Sequence, residues 1–556
     1  MNRSIVVLLL LGGVTRPAPA QTLSPETIAR IDSVFAPFDR TDRPGCAVAV
    51  SQNGNEVFAR GYGMSNLEYG LAITPGSIFH VASISKQFAA FAVALLAEDG
   101  KLSLDDPVQK YITELPDYGT PITIRQLIHH TSGIRDQWEL LEMAGWRYGH
   151  DLFTQDDVLE IVKRQRALNF TPGSEYLYSN AGYSLLAMIV ERVSGKSLRK
   201  FSEERMFGPL GMTSTHVHDD HQMIVANRTS AYEPGPGGGW RISIPTFDTH
   251  GATSLFSTAS DLLKWEHNFV TGKVGSRALL DEAERSGRLT SGKEIDYGFG
   301  ISIENYRGTP ARGHGGADAG YRGDVVRFPE HGLAVAALCN FGPAVPNRYA
   351  RAVADVLLEG KLQPKSEAEA AAAGKPVPAT ARDLDEVKGV YRKAGGDLAW
   401  SFTTRDGKLV LENFEAPLDF LGDRRYTAFG LLIEFLGTPG VPATSVKASF
   451  GAQLFDSLGR AARFEPTANQ LQAYVGDYYS EDLDVVYSVA RSDSGLTIKR
   501  PKRPPATMKP LYQDAFFMEG SVVRFVVSRG KVIGFQVSGG RVRNVAFAKG
   551  DPRRPK

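Results

Sequence analysis

The chain has 556 residues, more than one ordinary hydrophobic core holds, so it divides into several domains. Hydrophobic residues make up 42% and charged residues 22%, the balance of a folded globular protein rather than a disordered one. A formal net charge of +1 supplies no whole-molecule field for nucleic acid or an anionic membrane, and two cysteines exclude a disulfide-rich scaffold or a cysteine-based zinc site.

Residues 1–20 have the build of a signal peptide. Arg3 gives a short positive region, Ile5 to Val14 is apolar, and Ala18-Pro19-Ala20 supplies the small-residue cleavage pattern, with Gln21 as the first mature residue. The apolar run is too short to span a bilayer, and no cysteine follows to carry a lipid. The expectation is an exported protein, periplasmic or secreted, with no membrane span.

Residues 21–360 read as one block with strands at both ends and helices between, which predicts a sheet built from the two termini of the block. Cys46 to Ser51, the turn Asn53-Gly54 and Glu56 to Tyr62 predict a hairpin. Phe88 to Ala97 is apolar on nearly all sides, the mark of a buried helix, and Gly100 is placed to end it. Thr258 and Asp261 have capping-box spacing at another helix start. Strands are predicted again over Asp324 to Phe328 and Leu333 to Cys339. Cys46 and Cys339 both fall in strand-like runs, as buried thiols or as a bridge.

Residues 361–380, rich in Ala, Glu, Lys and Pro, read as a linker with a helical stretch at Glu367 to Ala373. The rest repeats: Leu384, Gly389 and Tyr391 recur as Leu471, Gly476 and Tyr478, at an offset of about ninety residues that suits two small β-barrels or sandwiches. The expected modules are residues 381–466 and 467–556, ending in a solvated basic tail that includes Arg553, Arg554 and Lys556.

Three short motifs carry chemistry. In Ser83-Ile84-Ser85-Lys86, at the head of the buried helix, residues three apart share a face, so the lysine can take the proton of the serine nucleophile once burial or positive charge lowers its pKa. The same spacing at Ser197/Lys200 and Ser528/Lys531 opens no buried helix. Tyr178-Ser179-Asn180, the single Tyr-x-Asn of the chain, follows the loop signal Thr171-Pro172-Gly173. It offers a phenol that nearby cations make readier to relay a proton, and an amide that can both donate to and accept from a substrate. His314-Gly315-Gly316 precedes a strand; its glycines admit close backbone approach, and its histidine supplies either a polar edge or a structural contact.

In this order the three motifs resemble the serine β-lactamase and penicillin-binding protein superfamily, most of all its class C β-lactamase, esterase and D-aminopeptidase branch. Gly100-Lys101-Leu102-Ser103-Leu104-Asp105-Asp106-Pro107-Val108 and Leu127-Ile128-His129-His130-Thr131-Ser132-Gly133 carry the resemblance further. It implies an α/β (α+β) domain, an antiparallel sheet flanked by helices with a helical subdomain, ahead of the two barrel-like modules. It also implies an acyl-enzyme on Ser83, proton handling by Lys86, Tyr178 and His314, and substrate contact from Asn180, Gly315, Gly316 and Ala317. The oxyanion hole would be the backbone N–H groups of Ser83 and Ala317. First and last strands are neighbours in such a sheet, which brings Cys46 toward Cys339.

Members that open β-lactams have Lys-Thr/Ser-Gly as the third motif. His314-Gly315-Gly316 lacks that ammonium and hydroxyl, so the expectation is an enzyme cleaving an ester or a D-amino-acid amide or peptide. The alternative is a penicillin-binding receptor, or a weak β-lactamase or D,D-carboxypeptidase, with slow deacylation. No cofactor or metal is expected: His216, His218 and His221 cluster with Asp219 and Asp220 in a loop-like stretch. His130 is expected to support the fold, and Arg322 to hold a substrate carboxylate or a neighbouring acid. The partner is a small ester or peptide, with no nucleic acid; oligomeric state is left open. The β modules are expected to shape access to the site, or to act as spacers or assembly units.

Overall fold

The structure is a computed structural model that describes residues 23–365, 374–394, 396–428, 431–450, 453–492 and 495–551. The signal-peptide stretch, the helix predicted over 367–373 and the basic tail at Arg553, Arg554 and Lys556 lie outside the described residues.

Asn53 and Gly54 adopt φ of 51° and 79°, as a two-residue hairpin turn requires, and join the strands Cys46–Gln52 and Asn55–Tyr62. Strand Cys46–Gln52 also pairs antiparallel with Leu333–Cys339, so the two ends of the block share one sheet. Outward from Leu333–Cys339 come Tyr321–Phe328, Thr309–Asp318 and Ser302–Tyr306, giving six antiparallel strands. Cys46 stands opposite Cys339 and the two form a disulfide, with Cα atoms 4.0 Å apart.

Both faces of this sheet are covered, so its central strands read as continuous apolar runs. Cys46, Val48, Val50, Val335 and Ala337 pack under the helices Pro25–Phe35 and Pro346–Leu357. The alternate residues Ala47, Ala49, Ala334 and Ala336 face the larger core, where their small side chains admit the helix Ser85–Glu98. That helix is buried from Ser85 to Leu96 and is followed by Gly100 at φ 69°. Helix Asn180–Ser194 lies against it, and Trp265 of helix Ala259–Thr271 packs on Phe88 at 4.5 Å. Thr258 caps that third helix by accepting from the Asp261 N–H, as its spacing predicts.

The repeat in the second half is two closed barrels of eight strands each, spanning Gly389–Arg392 to Gln453–Ala461 and Gly476–Ser480 to Val545–Lys549. A short helix with a capping box leads into each, Ala381–Val387 capped by Thr380 and Ala468–Tyr474 capped by Thr467. The repeated glycines Gly389 and Gly476 both take φ of 144°. The repeated tyrosines donate to matching carbonyls four residues back, Tyr391 to Val387 at 2.8 Å and Tyr478 to Tyr474 at 2.7 Å.

The two barrels relate differently to the first block. The first has its own core, whereas the second shares the large core of the first block. At that seam Arg135, fully buried, pairs with Asp482 at 2.8 Å and donates to Gln165 and to the carbonyls of Arg543 and Asn544. Tyr487 reaches back to the Met143 carbonyl at 2.7 Å. An unpaired charge at this depth is costly, so Asp482→Ala should cost about 3–5 kcal/mol in urea unfolding followed by tryptophan fluorescence. The double replacement Arg135→Met/Asp482→Leu should cost less than the single one; an equal or larger cost would show that the ion pair is not what holds the seam.

Candidate active site

Ser83 lies in a tight 3₁₀ turn, Ala82–Ile84, one residue ahead of the helix that begins at Ser85. It is part-exposed while Ala82, Ile84 and Ser85 are buried. Ala82 is held at φ 49°, an uncommon conformation for a residue with a Cβ. Gly316 explains how a strand closes on this turn: a Cβ there would stand 2.2 Å from the Val81 carbonyl oxygen. Strand Thr309–Asp318 therefore passes directly beside the Ser83 turn, and the uncapped N-terminus of helix Ser85–Glu98 adds positive dipole from below.

Lys86 is completely buried, and its Nζ has three partners: Ser83 Oγ at 3.0 Å, Asn180 Oδ1 at 2.8 Å and the Ala252 carbonyl at 2.6 Å. Burial pushes its pKa well below the ordinary lysine value, and the Arg541 cation pushes the same way, against the pull of Asp136 and Asp318. A neutral amine has two N–H donors and one lone pair. In that form the two carbonyl-type oxygens would take both donors and leave the lone pair facing the Ser83 hydroxyl.

Asp136 fixes this arrangement. It is fully buried, and its Oδ2 accepts both the backbone N–H and the side-chain amide of Asn180, each at 2.8 Å. The Asn180 NH₂ must therefore face Asp136, and its oxygen must face Lys86. The other oxygen of Asp136 caps the helix Gln137–Met143 through the Trp138 N–H.

Tyr178 is held from both sides by His130, whose carbonyl accepts from Leu177 N–H at 3.0 Å and whose Nδ1 accepts from Ser179 N–H at 3.1 Å. The His130 ring lies 4.2 Å from that of Tyr178, and Lys86 Nζ stands 4.8 Å from the phenol centroid. The sequence-based expectation was a phenol readier to ionise. Instead, burial raises the Tyr178 pKa, outweighing both its hydrogen bond with Ser83 and the nearby Arg541. The phenol is thus a proton donor at neutral pH, not a resting phenolate.

His314 is also in the cluster, with its ring 6.3 Å from Tyr178. Burial lowers its pKa to about 4, with Lys86 adding to the effect, so it is neutral. Its Nδ1–H donates to the Gly315 carbonyl at 2.5 Å and its Nε2 accepts from the Tyr297 hydroxyl at 3.0 Å. With both nitrogens engaged, His314 has no free position for a substrate proton, which favours the structural alternative for this residue. Gly315, Gly316 and Ala317 continue the same strand past the serine, Gly315 and Ala317 being exposed.

The other candidates fall elsewhere. Ser197 caps helix Leu198–Ser202 through the Lys200 N–H, and Ser528 faces Lys531 across a hairpin of the second barrel. His216 and His218 face the same way, their nitrogens 3.4 Å apart, while His221 bonds Asp248 at 2.9 Å. Asp220, His221 and Asp248 place potential ligand atoms within 4.8 Å of one another, away from the serine cluster. Arg322 stands 3.7 Å from Glu233, the neighbouring-acid fate. Sequence reasoning missed Asp136, Ala252, Tyr297 and Arg541. Only Asp136 left a signal, as a cap residue ahead of the apolar run beginning at Trp138.

The Beta-lactamase family profile matches residues 31–359. The chain belongs to this family. It is 28% identical over 298 residues to a D-aminopeptidase of Brucella canis, covering 54% of this chain and 56% of that one. It is 27% identical over 316 residues to penicillin-binding protein 4* of Bacillus subtilis, covering 51% and 65%. The chain thus spans only part of the length of these relatives. Among solved structures, its fold resembles the octameric penicillin-binding protein homologue from Pyrococcus abyssi, with TM-score 0.54, 21% identity, and 94% of this chain and 99% of that one covered. It also resembles the D-amino acid amidase from Ochrobactrum anthropi SV3, with TM-score 0.53, 21% identity, and 60% and 100% covered.

Asp136→Asn replaces one acceptor with a donor and so loosens the Asn180–Lys86 lock. Ser83 should then react with a fluorophosphonate roughly 10- to 100-fold more slowly, the range for a lost charged hydrogen bond. Removing the carboxylate also removes a pull that raises the Lys86 pKa, so the acid limb of the labelling rate should move to lower pH. A wild-type rate and limb would show that Asp136 only caps its helix.

Proposed function

We propose that this chain is an exported serine hydrolase that forms an acyl-enzyme on Ser83 and cleaves an ester or a D-amino-acid amide or peptide. The observation that carries this reading is the 3.0 Å contact between the Ser83 hydroxyl and the sealed Lys86 amine, whose pKa burial pushes down. Lys86 takes the hydroxyl proton as Ser83 Oγ attacks the substrate carbonyl, and the backbone N–H groups of Ser83 and Ala317 receive the developing oxyanion. Tyr178 donates its proton to the departing oxygen or nitrogen, which leaves a phenolate at Tyr178 and the former Ser83 proton on Lys86. Water then attacks the acyl-serine as the Tyr178 phenolate takes its proton, and Ser83 Oγ leaves with the proton held on Lys86, which returns all three groups to their starting states. Asn180 orients both Lys86 and the substrate, and His314 shapes the cleft wall beside them.

The third motif and the relatives named D-aminopeptidase and D-amino acid amidase favour an amide or ester over a β-lactam. Export is supported by the signal-peptide pattern of residues 1–20 and by the Cys46–Cys339 bridge, which suits an oxidising compartment.

A panel of p-nitrophenyl acetate, D-phenylalanine amide and a chromogenic cephalosporin, read against Ser83→Ala, tests this reading. Turnover of the ester or the amide should vanish in Ser83→Ala, and fluorophosphonate should label Ser83. Labelling at Ser197 or Ser528 would sink it, and a burst of one product equivalent without turnover marks a penicillin-binding receptor instead. Tyr178→Phe should lower turnover about 10²–10⁴-fold, the usual worth of general acid catalysis. A folded variant that keeps more than about half the wild-type rate removes Tyr178 from proton transfer.

A further inference from the structure

The loop joining strands Lys531–Ser538 and Val545–Lys549 of the second barrel is built into the wall of the Ser83 cleft. Catalytic-domain groups hold its backbone. Glu139 accepts the Arg541 N–H with both carboxylate oxygens, at 2.8 and 3.0 Å. The Arg541 carbonyl accepts from Asn169 Nδ2 at 2.9 Å and from Asp136 N–H at 3.4 Å. Arg135 holds the carbonyls of the next residues, Arg543 and Asn544. Gly539 and Gly540 let the loop come this close, because a Cβ on either would stand 3.0–3.2 Å from the Glu139 carboxylate.

These backbone contacts aim one side chain at the catalytic groups. The Arg541 guanidinium lies over the Tyr178 ring, 4.8 Å from its centroid. Its nearest carboxylate, Asp136 Oδ2, is 3.9 Å away, beyond hydrogen-bond length, and its side chain remains 44% exposed. Arg543, by contrast, is bonded to Glu175 at 2.9 Å. Arg541 is therefore a fixed cation in the cleft with N–H donors open to an incoming molecule, next to the phenol assigned to the leaving group. A guanidinium so placed matches a planar anion, and a carboxylate best.

We propose that Arg541 is a specificity residue contributed by the second barrel, which selects substrates carrying a carboxylate near the bond that is cleaved. It rests on the assignment of Ser83 as nucleophile. It also makes the barrel part of the binding site rather than a spacer, and it supplies in another place the cation that His314-Gly315-Gly316 lacks.

Two pairs of esters test it: p-nitrophenyl butyrate against p-nitrophenyl hydrogen glutarate, with the carboxylate on the acyl half, and phenyl acetate against 4-acetoxybenzoate, with it on the leaving half. In the wild type at least one carboxylated ester should have the higher kcat/KM of its pair. Arg541→Ala should shrink that ratio roughly 10- to 100-fold, the range for a charge-assisted hydrogen bond. Arg541→Glu should invert it and Arg541→Lys should restore part of it. Arg541 also lowers the Lys86 pKa against Asp136 and Asp318, so both esters should show an acid limb of kcat/KM moved to higher pH in Arg541→Ala. The variants keep the backbone contacts that dock the loop, and an unchanged melting temperature confirms docking. Ratios that ignore residue 541 while Ser83 still labels with fluorophosphonate overturn this proposal alone. Failure of Ser83 to label in the wild type overturns it together with the assignment beneath it.

Discussion

A lysine amine sealed from water is the constraint on which the site depends. A buried ammonium is expensive, so burial pushes the Lys86 pKa down while Asn180 and Ala252 accept N–H bonds from its amine. The 3.0 Å contact of that amine with the Ser83 hydroxyl belongs to the same arrangement. It requires the Asn180 amide to be oriented one way, which Asp136 enforces, and the loop at Ala252 to lie against the helix. Gly251, at φ 89° with no room for a Cβ beside the Tyr183 carbonyl, permits that approach.

The same desolvation sets the states of the neighbours. Tyr178 stays protonated, and His130 and His314 stay neutral, because burial dominates each of them. The six-stranded sheet makes this possible mechanically. Its alanine-rich inner face lets helix Ser85–Glu98 sit close, and strand Thr309–Asp318, second from the edge, carries Gly316 past the turn without a clash.

The two barrels share a sequence repeat and a tyrosine-to-carbonyl bond, yet differ in role. The first closes around its own core, and the second merges with the catalytic-type domain through Arg135, Asp482 and Tyr487. A buried ion pair is a poor source of stability but a good source of register. Here it sets the position of the loop that carries Arg541.

The sequence by itself determined the hairpin at Asn53-Gly54, the buried helix after Ser83, the barrel repeat and the grouping of Ser83, Lys86, Tyr178 and His314, because these rest on local periodicity, turn chemistry and short motifs. Three things were decided only by tertiary structure. Burial raises the Tyr178 pKa where nearby cations alone would lower it, because the depth of burial around a ring cannot be read from its neighbours in the chain. His314 has both nitrogens occupied, because Tyr297 approaches from a different segment. Arg541 stands over Tyr178 because Glu139 bonds its backbone and the buried Arg135, 409 positions before Asn544, grips the same loop. Such contacts join residues that no local pattern connects, and only the folded chain brings them within reach of one another.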